Sequence, residues 1–227
     1  MLHRLLRKIL PRLIINLIGF FNIFFLLKKH HKLTKGFYQD KNNEPLPWFT
    51  YPCIEFLKTI NLKDKKILEF GSGSSTLFWE NKAKSVISVE KDLEWYVNLK
   101  KKINNNSTKI YHFDSDKDYS NYPKNLTSKF DIIVIDGADR KNCLKNSINL
   151  LSNNGFIIFD NIEWYPNSAK FLRELEYYQI DFSGFSPLNS FETCTSIFFK
   201  QNDFLKNRII QDHWHPIGGR YLDAYDD

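Results

Sequence analysis

From Lys66 to Phe199, short apolar and β-branched runs alternate with stretches whose apolar residues recur at helical spacing. That alternation predicts a parallel sheet covered by helices on both faces. Strands are predicted at Lys66 to Phe70, Ser85 to Glu90, Thr108 to Phe113, Phe130 to Asp136, Gly155 to Asp160, Ile180 to Gly184 and Thr195 to Phe199. Helices are predicted at about Ser75 to Asn81, Leu93 to Asn104, Arg140 to Leu151 and Ser168 to Tyr178, preceded by a short one over Cys53 to Ile60. Ile132, Ile133, Val134 and Ile135 form an unbroken apolar run, as a central strand buried on both faces requires. After Ile180 the pattern changes to two strands joined by a loop, an antiparallel hairpin that closes the sheet.

Ahead of this lies a different object. Leu13 to Leu27 is interrupted in polarity only by Asn16, Gly19 and Asn22, and as a helix it is about 22 Å long. That falls short of the ~30 Å hydrocarbon core of a bilayer. Basic residues flank both ends, so the one-sided charge bias that orients a spanning helix is missing, and no small-residue cleavage site follows the apolar run. The expectation is a helix lying in an anionic membrane face, with packing on the domain or on a second subunit as the alternative. Pro45, Pro47 and Pro52 then punctuate a linker, giving a division into 1–39 (basic apolar helix), 40–200 (globular domain) and 201–227 (tail, a possible lid).

Charge sharpens that division. The 227 residues carry 32 Lys plus Arg against 26 Asp plus Glu, but Arg4, Arg7, Lys8, Arg12, Lys28, Lys29, Lys32 and Lys35 stand in a segment without a single acid. The remaining residues hold 24 basic and 26 acidic side chains. A slightly acidic globule lacks the phosphate-backbone footprint, and no nucleic-acid partner is expected. Cys53, Cys143 and Cys194 are odd in number and widely spaced, so neither a disulfide framework nor a thiolate zinc site is indicated. A reducing cytoplasm with peripheral membrane attachment fits these features.

In open α/β sheets ligands bind beyond the carboxyl ends of the strands. The first strand runs out through Glu69, Phe70, Gly71, Ser72 and Gly73, where glycines permit a tight turn and close ligand approach. Glu90 ends the next strand about twenty residues on, placed to accept both hydroxyls of a ribose. The pair suits a nicotinamide dinucleotide or S-adenosylmethionine. The dinucleotide fingerprint wants a third glycine where this chain has Thr76, and Glu69 would repel a pyrophosphate. S-adenosylmethionine is the better match.

The runs Glu69 to Thr76, Val89 to Asp92, Ile135-Asp136-Gly137 and Phe159-Asp160-Asn161 together resemble the class I S-adenosylmethionine-dependent methyltransferases over roughly residues 45 to 200. The resemblance implies a doubly wound, Rossmann-like α/β sheet of seven strands, mostly parallel, with one antiparallel strand near the C-terminus. It also implies that Gly71, Ser72 and Gly73 hold the methionine part, Glu90 the ribose, and Asp114 the adenine. Glu69 and Tyr51 are further candidates beside the cofactor.

Asp136, Asp160 and Asn161 offer two carboxylates and an amide oxygen, a donor set for Mg²⁺ that would activate an acceptor hydroxyl. This pattern is similar to that of catechol and caffeoyl-type O-methyltransferases. Those enzymes place a lysine three residues after the first Asp, where this chain has Asp139 followed by Arg140. Asp136 and Arg140 are the candidate catalytic residues; Arg140 cannot act as a base, but can grip a carboxylate or phosphate. The alternative is that Asp136 contacts cofactor or backbone, Asn161 shapes a turn and no metal binds. His213, Trp214 and His215 read as a tail segment. The expected activity is O-methylation of a small molecule, glycan or lipid-linked precursor. A non-catalytic adaptor or a nicotinamide-dependent oxidoreductase would be the competing functions.

Overall fold

Seven strands form the central sheet of the computed structural model, which describes residues 12, 14, 16–21, 31–34, 37–40, 42–187, 189 and 191–200. They are β3 (Lys66–Phe70), β4 (Ser85–Glu90), β5 (Thr108–His112), β6 (Phe130–Ile135), β7 (Leu151–Asp160), β8 (Tyr178–Gly184) and β9 (Thr193–Phe199). Their order across the sheet is β5-β4-β3-β6-β7-β9-β8. β9 runs antiparallel to both of its neighbours, and the pairings from β5 through β7 are parallel. The doubly wound sheet with one antiparallel strand is as the sequence predicts. A separate hairpin, β1 (His31–Thr34) with β2 (Phe37–Asp40), precedes it. The tail containing His213, Trp214 and His215 lies outside the described residues.

Alternation along β6 explains its unbroken apolar run. Ile132 and Val134 enter a core on one face with Cys53, Ile54 and Leu57 of α1 (Tyr51–Lys58) and with Phe78 and Trp79 of α2 (Ser74–Glu80). Ile133 and Ile135 enter the opposite core with Leu144 of α5 (Arg140–Ser147) and Leu172 of α6 (Pro166–Glu174). Every one of these four β6 side chains is 0% exposed, because successive residues of a strand point to opposite faces and both are covered.

Local chemistry sets the helix boundaries. Asp92 caps α3 (Leu93–Lys100) by accepting from Trp95 N at 2.7 Å, and Pro166 opens α6, where a missing N–H is harmless. α3 and α5 stop short of the predicted ends at Asn104 and Leu151, the latter through a 3₁₀ turn over Ile148–Leu150. α4 (Asp116–Asn121) was not predicted, since Tyr119 is the one large apolar residue in it; Ser115 starts it by accepting from Asp118 N. β7 begins at Leu151 rather than Gly155 because its first residues are polar and half exposed, a stretch that periodicity cannot mark as strand. The hairpin β1–β2 falls in the segment assigned to the basic head, and Phe37 at its end is buried.

Register brings the functional edge into line. Phe70 pairs with Val89 and with Ile135, and Ile135 with Phe159, so these four residues stand level. The next residues, Gly71, Glu90, Asp136 and Asp160, therefore emerge along one edge on both sides of the point where strand order reverses.

At that point the loops after β3 and β6 touch. Gly71 has φ +93°, and a Cβ there would lie 2.6 Å from Gly137 N. A Cβ on Gly73 meets nothing nearer than Trp95 Nε1 at 3.6 Å. Gly71→Ala should therefore lose about 2 kcal/mol or more of stability in guanidinium unfolding, and Gly73→Ala less than about 1 kcal/mol. Equal losses at the two positions would contradict the assigned loop geometry.

Candidate active site

Glu69, at the end of β3, is 0% exposed and lies outside the lining of the cavity above it. Its Oε2 accepts from Thr76 Oγ1 at 2.5 Å and Ser88 Oγ at 2.6 Å, and its Oε1 from Trp79 Nε1 at 2.9 Å. Burial raises its pKa, and those same hydroxyl and indole donors oppose the rise. Glu69 thus corrects the expectation of a ligand contact: it fastens the glycine loop to α2 and β4 from below. Thr76 completes the fastening by accepting from Gly73 N at 2.8 Å. The position of the absent third glycine is filled by a side chain that holds the loop shut.

Above the loop lies a cavity of about 780 Å³. Gly71, Ser72, Gly73, Glu90, Asp136, Arg140, Asp160 and Asn161 all line it, so the structure brings together most of the residues singled out in the sequence. Glu90 stands at its centre. Its Oε2 accepts from Ser72 N, and its Oε1 from Lys91 N and Asp92 N, each at 2.8 Å. Burial pushes its pKa up, and these three backbone N–H groups hold it down. The carboxyl group is oriented, and its oxygens can accept further hydrogen bonds from a diol.

Two expected cofactor contacts are elsewhere. Asp114 has a side chain 91% exposed, paired with His112 Nε2 at 3.4 Å and outside the cavity lining. The strand ends at His112, which leaves Asp114 beyond the sheet in solvent. Tyr51, at the start of α1, packs against the apolar core instead. Burial there raises its phenol pKa. The aromatic that reaches the cavity from this segment is Trp48, with Trp95 at 5.6 Å between ring centroids. Trp95 Nε1 donates to Ser72 O at 2.6 Å and closes the loop from the other side. Trp48 Nε1 is buried without an acceptor, a donor that a ligand in this cavity would satisfy. Trp95 is part of no motif, which is why spacing did not find it.

The far end of the cavity is built around Arg140. Its Nε donates to Gly137 O at 2.9 Å, Nη2 to Asp136 O at 2.9 Å, and Nη1 to Asp160 O and to Asn161 Oδ1 at 3.1 Å. Nη2 also lies 3.2 Å from Asp136 Oδ1. Those partners engage all five guanidinium N–H groups. Asp139 and Asn161 sit at φ 43° and 51°, left-handed positions that Asp and Asn tolerate, and turn the chain back after each strand.

Asp136, half-buried, and Asp160, buried, stand at the ends of neighbouring strands. Burial and the Asp160 charge drive the Asp136 pKa well up, against the pull of Arg140. Asp160 is pushed up to about 6 by burial, opposed by the Thr195 hydroxyl and Arg140. Thr195 Oγ1 donates to Asp160 Oδ1 and itself accepts from Thr50 N at 3.0 Å. One guanidinium with one proton held between two carboxyls is electrically balanced, and this is the form that burial favours.

The donor set for Mg²⁺ does not fit this arrangement. Asn161 Oδ1 and Asp136 Oδ1 already face the Arg140 guanidinium, and Asn161 Nδ2 is fixed by Thr193 Oγ1 at 2.7 Å. A cation would have to enter where a cation already stands. Among the described residues no cluster of three or more His, Cys, Asp or Glu is placed to hold a metal. The spacing Tyr-x-x-x-Lys, used by some oxidoreductases, occurs at Tyr96 and Lys100, joined at 2.9 Å on α3 and outside the cavity lining.

No family model matches the chain, and no curated protein matches it. Solved structures do. Precorrin-6y C5,15-methyltransferase from Geobacter metallireducens aligns at TM-score 0.53 and 11% identity, over 75% of this chain and 94% of that one. Spermidine synthase from Thermotoga maritima aligns at 0.53 and 15%, over 70% and 59%. An rRNA methylase from Streptococcus thermophilus aligns at 0.51 and 8%, over 66% and 97%. At these identities the shared property is the fold, the Rossmann-like α/β sheet of methyltransferases.

A carboxyl whose folded pKa lies above its ordinary value of 3.8 contributes stability at low pH and loses it as pH rises through the folded value. The denaturation midpoint should therefore fall between about pH 4 and pH 7, and Asp160→Asn should make that fall shallower. Guanidinium unfolding of both proteins across this range checks it; identical slopes would refute a raised Asp160.

Proposed function

We propose that the protein is an S-adenosylmethionine-dependent methyltransferase that transfers a methyl group to a hydroxyl of a small molecule, a glycan or a lipid-linked precursor. The observation that carries this is Glu90, held by three backbone N–H groups beside the glycine loop in a cavity that runs on to the Asp136–Asp160 pair. Glu90 would take the ribose hydroxyls, the backbone of Gly71 to Gly73 the methionine part, and Trp48 Nε1 an acceptor atom of the ligand. S-adenosylmethionine bound there supplies a methyl carbon on a positive sulfonium, welcome in a cavity whose charged lining is mainly acidic.

The same charge defines the acceptor. Glu90, Asp92, Glu94, Asp136 and Asp160 line the cavity against Arg140 alone among the described basic residues, and Arg140 has no N–H left to offer. At the Asp136–Asp160 end a phosphate or carboxylate would meet two carboxyls and a guanidinium already engaged, so the reacting end of the acceptor is uncharged. The likeness to an rRNA methylase does not extend to a basic surface, since the chain after residue 35 holds more acids than bases.

Asp160 is the base. Its carboxyl, aligned by Thr195 and balanced by Arg140, accepts the proton that the acceptor hydroxyl gives up. Arg140 and Asn161 are positioning residues that hold the two strand ends at a fixed separation. The remaining contribution is orientation of acceptor and methyl donor in one water-poor cavity.

Calorimetry on the full chain should give micromolar binding of S-adenosylhomocysteine, weakened at least about tenfold in Glu90→Ala. With an accepted substrate, Asp160→Asn should lower kcat by about a hundredfold while cofactor affinity stays nearly constant, and EDTA should change neither. A folded protein that binds no cofactor would overturn the assignment; binding without turnover across hydroxyl acceptors would favour an adaptor of the same fold.

A further inference from the structure

The described part of the N-terminal segment carries an apolar face with nothing of the domain against it. Residues 16–21 are helical, and Ile14, Leu17, Ile18 and Phe21 recur at i, i+3, i+4 and i+7, one arc of about 100° on a helix. They are 40, 47, 46 and 52% exposed, and Phe20 beside them 63%. Neither core cluster includes any of the five. Asn16 and Gly19 fall on the other side of the helix.

Charge says what covers this face. Arg12 is exposed at the N-terminal end of the helical stretch. Residues 1–35 contain eight Lys and Arg and no acid. A partner that offers an apolar layer beneath a dense sheet of negative charge matches both features, and an anionic bilayer is that partner. Among the described residues no helix is long and apolar enough to cross a membrane. We infer that this segment docks the protein on an anionic lipid bilayer, the helix lying in the headgroup plane with Ile14, Leu17, Ile18 and Phe21 turned toward the acyl chains.

The anchor joins the domain beside the cavity. Phe37 of β2, 2% exposed, stacks on Trp95 at 4.9 Å, and Tyr38 N donates to Ser74 Oγ at 3.1 Å. Trp95 and Ser74 both line the cavity. Lipid docking therefore places the membrane beside the edge of the domain that carries the glycine-loop end of the cavity. The inference does not depend on methyl transfer, because its readout is partition onto lipid.

Sedimentation of the full chain with vesicles of phosphatidylcholine alone, and of phosphatidylcholine mixed with phosphatidylglycerol, tests it. Binding to the mixed vesicles is expected, weakened by salt and reduced at least about tenfold in Leu17→Asp/Phe21→Asp. Arg12→Glu/Lys32→Glu, which keeps the apolar face, should lose the preference for anionic vesicles. S-adenosylhomocysteine affinity of both variants serves as the folding control, since Arg12, Leu17 and Phe21 do not line the cavity. Equal binding of Leu17→Asp/Phe21→Asp, or no binding of the parent chain, would overturn the inference. So would lipid-free self-association that the same substitutions abolish, which would assign the face to a second copy.

Discussion

The site depends on one guanidinium. Arg140 ties the backbone carbonyls that follow β6 and β7 to each other and to the side chains of Asp136 and Asn161. Two strand ends that carry buried carboxyls would repel each other without a cation between them. With it, burial favours a neutral trio of two carboxyls, one proton and one guanidinium, and the two strand ends are tied together. Everything proposed for the far end of the cavity follows from this: the base is a carboxyl tuned upward by burial, and the place a metal would take is filled.

Strand identity in the main sheet was legible because it rests on apolar runs and on the Asp and Glu residues that end them. Ile132 to Ile135, Glu90, Asp136 and Asp160 are local signals, and the structure places them as the pattern implies. What was not legible depends on contacts between distant segments. Glu69 looks like a ligand residue in sequence, and only the convergence of Thr76, Trp79 and Ser88 shows it to be an internal fastener. Asp114 follows a strand, as the expected adenine contact should, yet the strand stops early and leaves it in water. Trp95 and Thr195 have no motif and enter the site through folding alone. The hairpin β1–β2 was hidden because its residues are mixed in polarity and short.

Division of labour among the acids is the broader lesson. Glu69, Glu90, Asp136 and Asp160 all sit at strand ends or beside them, three buried and Asp136 half-buried, but each meets different partners. Hydroxyl and indole donors make Glu69 structural; backbone N–H groups make Glu90 a fixed acceptor; a shared proton makes the aspartate pair titratable. Residue type and position along the strand were the same in outline. Environment separated the roles.

The three backbone bonds that hold Glu90 have a thermodynamic corollary. A free glutamate loses about 1.5–2 kcal/mol of rotamer freedom when it is immobilised. Here that ordering is complete before any ligand arrives, because Ser72, Lys91 and Asp92 impose it during folding. A ligand that used this carboxylate would meet almost no local entropy cost, so rigidity built in by the fold would count as affinity.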